Sequence, residues 1–277
     1  MRVLVTFALA EEFAPWRGMR KFETQKWGAT DAYVTRIGEA EVGVMLTGVG
    51  TRQSGFEFPG EAWDGTEALG ICISSGLAGG LRPEYRIGQV LAARTVSSGT
   101  IDYVATVQFD QPDFRIESSG PLLSFAEECG AMVANAFYTS GRVIARAEDK
   151  KHLAHSADAV EMESFGILSA AAKDGIPAIA IRAVSDTADE DLPLDMTGVF
   201  TTEGRVSVPR VLGQVAMHPT AIPGLVKLGK QSKAAAESLA HFLDQYVGMV
   251  AERMTVLESK THVARGQRGE APSAHAV

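Results

Sequence analysis

The sequence predicts a single-domain, three-layer α/β/α sandwich built around a central mixed sheet. Short and nearly continuous apolar runs recur along the chain, as is typical of strands buried on both faces. Helix-compatible stretches separate these runs, and such alternation indicates a parallel or mixed sheet with helices on both sides. Because no linker divides the main body, we expect one domain over residues 1–250, with 251–277 as a C-terminal extension.

Seven apolar runs predict the strands. The first is Arg2-Val-Leu-Val-Thr-Phe-Ala-Leu, and the others cover residues 33–37, 42–47, 69–74, 90–96, 142–145 and 178–184. Helices are predicted over residues 54–63, 121–129, 148–154, 162–173 and 232–246. The helix that follows Glu161 has the clearest pattern, because its apolar residues recur at helical spacing and Lys173-Asp174-Gly175 supplies a C-terminal stop.

The last third of the chain is less regular. Residues 191–223 contain many glycines and prolines and predict a long loop, with one short helix near 210–216. From about Ser259 onward the chain is polar and rich in helix breakers, which predicts disorder.

Composition favours a small-molecule partner in the cytoplasm. The net charge is −8 and the basic residues are scattered, which argues against a nucleic-acid partner. The two cysteines, Cys72 and Cys129, form no CxxC pair, so we expect reduced thiols and neither a disulfide framework nor a metal site. His152 and His155 lack the spacing of a ligand set. No signal peptide or membrane span is predicted.

Three glycine-rich stretches follow predicted strands: Gly48-Val49-Gly50, Gly76-Leu-Ala-Gly79-Gly80 and Ser140-Gly141. Ligands of open α/β sheets bind at the carboxyl ends of strands, where glycine lets the backbone approach them. Each stretch taken singly could equally be a tight turn. No Rossmann fingerprint, P-loop, HExxH or GxSxG motif occurs in the sequence.

Acidic residues lie where three buried elements begin or end. Glu11 and Glu12 follow the first strand, Glu161 and Glu163 open the apolar helix, and Asp186 follows the last core strand. Converging carboxylates could transfer protons and stabilise a cationic transition state. The alternative is that they cap helices or lie in solvated turns, and the pattern alone leaves this open.

These segments together resemble the purine nucleoside phosphorylase and methylthioadenosine/adenosylhomocysteine nucleosidase superfamily. Ala159-Val-Glu-Met-Glu-Ser164 is similar to its ribose-binding motif, and Arg182-Ala-Val-Ser-Asp-Thr-Ala-Asp189 is similar to its base-binding motif. Ser75-Gly-Leu-Ala-Gly-Gly-Leu81 resembles its glycine-rich strand end. The resemblance covers roughly residues 1–250 and implies a nucleoside-phosphorylase-like fold.

The resemblance implies a role for each matching residue. Asp186 would protonate the purine, Glu12 would activate water and Ser185 would orient Asp186. Glu163 would hold the ribose hydroxyls, with Met162 under the sugar and Glu161 nearby. The remaining substrate contacts are expected from Leu77 and Gly79 of the glycine-rich strand end and from Ile144 in the stretch 141–145. The chemistry requires no metal or organic cofactor.

Departures from the phosphorylase branch favour water as the nucleophile. Ala8-Leu-Ala-Glu-Glu12 replaces its phosphate loop, Leu77 replaces its serine, and Ser74 replaces its arginine. Arg52 is the remaining candidate phosphate ligand. No aromatic residue occurs in 141–145, where the nucleosidase branch places one against the base.

The C-terminal third is similar to the hopanoid-associated phosphorylase-like branch, through Ala188–Pro193, Gly204-Arg-Val and His218–Leu225. That resemblance implies a 5′-substituted adenosine as substrate and an apolar 5′ group near Leu77 and the 191–225 block. We expect a nucleosidase that forms a homo-oligomer. A phosphate-dependent phosphorylase and a non-catalytic nucleoside-binding protein are the alternatives.

Overall fold

The computed structural model describes residues 1–27, 30–50, 56–58, 69–98, 114–194, 207, 213 and 217–268. Within these residues the chain forms one ten-stranded mixed sheet. Its strands are β1 (Arg2–Phe7), β2 (Glu23–Trp27), β3 (Thr30–Ile37), β4 (Ala40–Leu46), β5 (Leu69–Gly80), β6 (Val90–Ser98), β7 (Phe114–Glu117), β8 (Met132–Thr139), β9 (Ala159–Glu161) and β10 (Ala178–Asp186). The helices are α1 (Ala10–Met19), α2 (Gly120–Glu128), α3 (Ala147–Leu153), α4 (Ser164–Lys173) and α5 (Ile222–Arg268), and a 3₁₀ turn (Pro219–Ala221) precedes α5.

Strand β5 is the centre of the sheet. It pairs in parallel with β1, from which β4, β3 and β2 continue to one edge. It also pairs in parallel with β10 and, at its carboxyl end, antiparallel with β9. Strand β10 also pairs with β6, β6 with β8, and β8 with β9. Because β5 pairs with both β10 and β9, these five strands form a closed ring.

Alternation along β1 shows how the sheet is covered. Val3 and Val5 belong to the core that α1, α2 and α5 cover, whereas Leu4 points to the other face, where α4 packs with Ile167 and Leu168. Side chains two residues apart on a strand share a face, so helices lie on both sides of the sheet. The predicted α/β fold with a mixed sheet is therefore confirmed, and the partial closure is an addition to it. Among the described residues, no helix has the length and apolarity needed to cross a bilayer.

Two strand assignments differ from the sequence prediction. Residues 142–145, predicted as a strand, form the loop before α3, and the strand is β8 (Met132–Thr139), which ends shortly before it. The apolar side chains of Val143 and Ile144 line a cavity, which accounts for the strand-like pattern. Likewise β9 continues through Glu161, so α4 begins at Ser164 and not at 162.

The C-terminal helix also differs from its prediction. Helix α5 runs from Ile222 to Arg268 and exceeds the predicted 232–246 at both ends. It includes residues 259–268, for which the sequence predicted disorder. The helices predicted near 54–63 and 210–216 lie largely outside the described residues.

Candidate active site

The carboxyl ends of β1, β5 and β10 surround a cavity of about 200 Å³. The loop before α3 and the segment from β9 to the start of α4 complete its wall. All predicted site residues that the structure describes line this cavity: Glu12, Leu77, Gly79, Ile144, Glu161, Met162, Glu163, Ser185 and Asp186. The candidate phosphate ligand Arg52 lies outside the described residues.

Glu12 is held by the backbone at the start of α1. The N–H groups of Ala8 and Leu9 donate to its Oε2, at 3.1 and 3.0 Å, and the N–H of Leu77 donates to Oε1 at 3.0 Å. A carboxylate offers about four acceptor sites, so Oε1 keeps one for a further donor. Burial raises the pKa of Glu12, against the lowering effect of these hydrogen bonds and of Arg182.

Glycine at position 76 makes room for the Glu12 carboxyl group. The backbone of Gly76 has φ of +144°, and a Cβ built there would lie 3.1 Å from Glu12 Oε1. A side chain at this position would therefore meet both backbone strain and the carboxylate. The glycine-rich strand end thus permits a close approach between β5 and α1.

Glu161 is held by four donors of the protein. Its Oε2 accepts from Arg182 Nη2 at 2.6 Å and from the N–H groups of Glu163 and Ser164 at 3.0 and 2.8 Å. Its Oε1 accepts from the hydroxyl of Thr139. Three of these four hydrogen bonds are on Oε2, so the protein holds the carboxylate chiefly through that oxygen. Glu161 therefore caps α4 and neutralises the buried Arg182 guanidinium, although it lies in the cavity wall.

Glu163 is the N-cap residue of α4 and lines the cavity. Its Oε1 accepts from the N–H of Gly50 at 3.0 Å, and its Oε2 lies 3.7 Å from Arg182 Nη2. Burial raises the pKa of Glu163 to about 8, the neighbouring carboxylates of Glu161 and Glu12 act in the same direction, and Arg182 opposes them. At neutral pH the carboxyl group therefore keeps its proton and can both donate and accept a hydrogen bond.

Asp186 is the last residue of β10 and lies against β5. A Cβ added at Gly79 would be 3.0 Å from its Oδ1, so glycine is needed for this approach. The hydroxyl of Ser185 is 2.9 Å from Asp186 Oδ2 and 3.3 Å from the carbonyl oxygen of Ala78. Because a hydroxyl carries one hydrogen, Ser185 can donate to either acceptor and fixes the Oδ2 side of the carboxyl group.

The sequence did not predict Lys150. This residue of α3 is completely buried, and its Nζ donates to Asp186 Oδ1 and to the carbonyl oxygens of Thr187 and Glu190 at 2.9 and 3.0 Å. The sequence shows only adjacent lysines in a polar segment. A weak signal was available, since Lys150 shares a helix face with the buried Leu153 three residues later.

Aliphatic side chains form most of the remaining wall. Among the described residues that line the cavity none is aromatic, and the apolar ones include Leu9, Val49, Val143, Val160, Leu192 and Leu228. Arg142 also lines the cavity, with Nη2 3.7 Å from Asp149 Oδ2. The arrangement combines three carboxyl groups in different environments with an apolar surface that suits a flat or apolar ligand.

Comparison with known proteins identifies the family. Residues 2–216 match the model of the phosphorylase superfamily, and the chain belongs to that superfamily. Over 149 residues it is 30% identical to the aminodeoxyfutalosine nucleosidase of Helicobacter pylori strain 26695, a match that covers 49% of this chain and 63% of that protein. The corresponding protein of strain J99 is 29% identical over 132 residues, which cover 43% and 56%. The chain thus matches less than two thirds of the length of these curated relatives.

Solved structures show the same fold. A futalosine hydrolase mutant of Helicobacter pylori superposes with a TM-score of 0.63 at 18% identity, over 89% of this chain and 98% of that one. The 5′-methylthioadenosine/S-adenosyl homocysteine nucleosidase of Campylobacter jejuni gives 0.64 at 17% identity, over 90% and 99%. The corresponding nucleosidase of Neisseria meningitidis gives 0.63 at 22% identity, over 90% and 99%.

Proposed function

We propose that this chain is a nucleosidase that cleaves the N-glycosidic bond of a purine nucleoside. The observation that carries the proposal is the convergence of Glu12, Glu163 and Asp186, from three separate elements, on one cavity. A 5′-substituted adenosine is the proposed substrate and adenine the released base. The names of the relatives, which are nucleosidases and a futalosine hydrolase, support this choice.

Asp186 is the proposed proton donor to the leaving base. Its proton passes to N7 of the purine, the C1′–N9 bond breaks, and the bonding electrons leave with the now neutral base. The sugar acquires oxocarbenium character, which nearby carboxylates stabilise. Ser185 holds the Oδ2 side of Asp186, and the Ile144, Leu77 and Gly79 positions contact the substrate.

Glu12 is the proposed base for the attacking water. The acceptor site left on Oε1 can take a hydrogen of the water, and the raised pKa of Glu12 suits a group that must accept a proton. The water oxygen bonds to C1′ and its proton goes to Glu12. Glu163 holds the ribose hydroxyls, Met162 packs under the sugar, and Glu161 supports the site through Arg182 rather than through the sugar.

Water is favoured over phosphate as the nucleophile. A phosphate dianion requires compensating cations and donors, and Leu77 and Ser74 stand where the phosphorylase branch has its serine and arginine. The side chain of Arg182, which lies near the carboxylates, is already paired with Glu161. A phosphate-dependent reaction that uses Arg52 is the competing proposal within the same superfamily.

A substrate panel tests the proposal. Adenosine, inosine, 5′-methylthioadenosine, S-adenosylhomocysteine and an adenosine with an apolar 5′ chain would be assayed for base release with and without phosphate. We expect adenine from a 5′-substituted adenosine in phosphate-free buffer. Strict phosphate dependence would favour the phosphorylase, and tight binding without any turnover would favour a non-catalytic binding protein.

Several sequence-based expectations stay proposals. They are the single domain over residues 1–250, the cytoplasmic location, the homo-oligomer, the absence of a nucleic-acid partner and the likeness to the hopanoid-associated branch. The proposed chemistry needs no cofactor, because it consists of proton transfers and electrostatic stabilisation.

A further inference from the structure

Lys150 is a buried cation that directly contacts the proposed proton donor. Its side chain is 0% exposed, and its Nζ donates to Asp186 Oδ1 from the side of α3. The residue does not line the cavity, so it approaches Asp186 from behind and has no route to the substrate. Any effect of Lys150 on the reaction must therefore pass through Asp186 or the nearby backbone.

Burial of an ammonium group is costly unless the group is paired and hydrogen-bonded. The three N–H donors of Lys150 are all used, by Asp186 Oδ1 and by the carbonyl oxygens of Thr187 and Glu190. Neutral donors could have satisfied the two carbonyl groups. Asp186 gives the positive charge a carboxyl partner at hydrogen-bond distance, and the charge of Lys150 also acts on the carboxylate of Glu190.

The contact divides the two oxygens of Asp186 between different tasks. Lys150 engages Oδ1, whereas Oδ2 lies 2.9 Å from the Ser185 hydroxyl. The same ammonium holds the chain that follows β10, since it binds Thr187 and Glu190. The side chain of Glu190 is in turn tied to α5, where Lys227 and Gln231 contact it at 2.9 and 3.1 Å.

The geometry points to Lys150 as the positioning residue of the proton donor: it fixes Asp186 through Oδ1 and leaves Oδ2 as the oxygen that carries the proton to the base. The inference rests on the proposed nucleosidase function. When the proton leaves Oδ2 for N7 and the C1′–N9 bond breaks, Asp186 becomes a carboxylate. The ammonium at hydrogen-bond distance stabilises that carboxylate and so favours the transfer.

The test compares Lys150→Met, which removes the charge, with Lys150→Arg, which keeps it. Lys151→Met is the matched control, because the neighbouring lysine is 68% exposed and lies 3.7 Å from the exposed Asp189. The readouts are kcat and KM for adenine release from 5′-methylthioadenosine, or from the best substrate of the panel. Each kcat is divided by the folded fraction, measured by circular dichroism.

We expect Lys150→Met to lower kcat per folded enzyme by about 10²-fold, the usual lower range for loss of acid catalysis, with KM within about threefold. Lys150→Arg should retain more activity than Lys150→Met, and Lys151→Met should match the parent. In an Asp186→Asn background, Lys150→Met should change kcat by no more than about threefold, because the asparagine has already removed the acid through which Lys150 acts.

Four results would count against the inference. Equal kcat per folded enzyme in Lys150→Met and the control would leave Lys150 a purely structural role. Multiplicative losses in the double variant would show that it does not act through Asp186. If Lys150→Met does not fold, Lys150→Arg takes its place, and a kcat loss of the same size in the parent and in the Asp186→Asn background would likewise overturn the inference. A parent inactive on the whole panel would overturn the proposed function, and this inference with it.

Discussion

At the scale of single residues, the three cavity carboxyl groups differ through their neighbours. Glu12 accepts three backbone N–H groups, Glu163 accepts the N–H of Gly50, and Asp186 lies between a lysine and a serine. Burial raises the pKa of Glu163 to about 8, while Glu161 next to it is neutralised by Arg182. Residues of one chemical type can therefore take different roles, which is the basis of acid–base catalysis by paired carboxylates.

Replacement of Asp186 by asparagine tests the acid role. Asparagine keeps the shape of the side chain and can accept from Lys150 through its oxygen, so the cavity should stay intact. It has no acidic proton, and we expect kcat to fall by about 10²–10⁴-fold with little change in KM. Steady-state kinetics of adenine release would measure this. A variant that binds as before and turns over at the parental rate would exclude the acid role.

At the scale of elements, short segments position the site. Strand β9 has only three residues, yet its pairing with β5 and β8 fixes Glu161. The Glu161 carboxylate then accepts two N–H groups at the start of α4 and places Glu163 at the N-cap. The ion pair between Glu161 and Arg182 joins β9 and the start of α4 to β10, and both side chains are 0% exposed.

Removal of this carboxylate should destabilise the fold. Glu161→Ala leaves the Arg182 guanidinium buried without its main partner, and we expect a loss of about 3–5 kcal/mol in the free energy of unfolding. Glu148→Ala is the control, because Glu148 is an exposed acid in the first turn of α3 and should change stability by less than about 1 kcal/mol. Urea unfolding measures both. Equal losses in the two variants would contradict a structural role for Glu161.

Sequence patterns predicted some elements well and others not. Long apolar runs identified β1, β5 and β10. The acidic residues at element ends left open whether Glu12, Glu163 and Asp186 converge, and the family resemblance assigned these three residues to one site. A three-residue strand such as β9 shows no period, and in β8 the polar Asn135 interrupts the apolar pattern. The sequence contains only a weak signal for the burial of Lys150 and none for its contact with Asp186, because that contact spans 36 positions and depends on how α3 packs against β10.

At the scale of the whole molecule, buried acids make stability depend on pH. Glu163 ionises near 4.5 when unfolded but keeps its proton up to about pH 8 when folded. Between these values the folded state binds more protons than the unfolded state. The stabilising contribution is therefore fully present below 4.5 and is lost as the pH rises through about 8.

The Glu163→Gln variant should remove this contribution. We expect the free energy of unfolding of the parent to fall, relative to the variant, as the pH rises from about 5 to about 8. Urea titrations of both proteins across this range would measure the difference, and Glu148→Gln serves as the exposed control. A difference between parent and Glu163→Gln that is independent of pH would mean that Glu163 ionises normally in the folded protein.

The central claim is that water attacks C1′ of the sugar when the N-glycosidic bond breaks in this cavity. Turnover of the best 5′-substituted adenosine in phosphate-free H₂¹⁸O, followed by mass spectrometry of the sugar, tests it most directly. The account predicts free adenine and a free sugar that gains ¹⁸O at C1 during turnover. The measured label is corrected for the ¹⁸O that unlabelled sugar takes up from the same water by exchange. No base release until phosphate is added, with a sugar 1-phosphate as product, would contradict it.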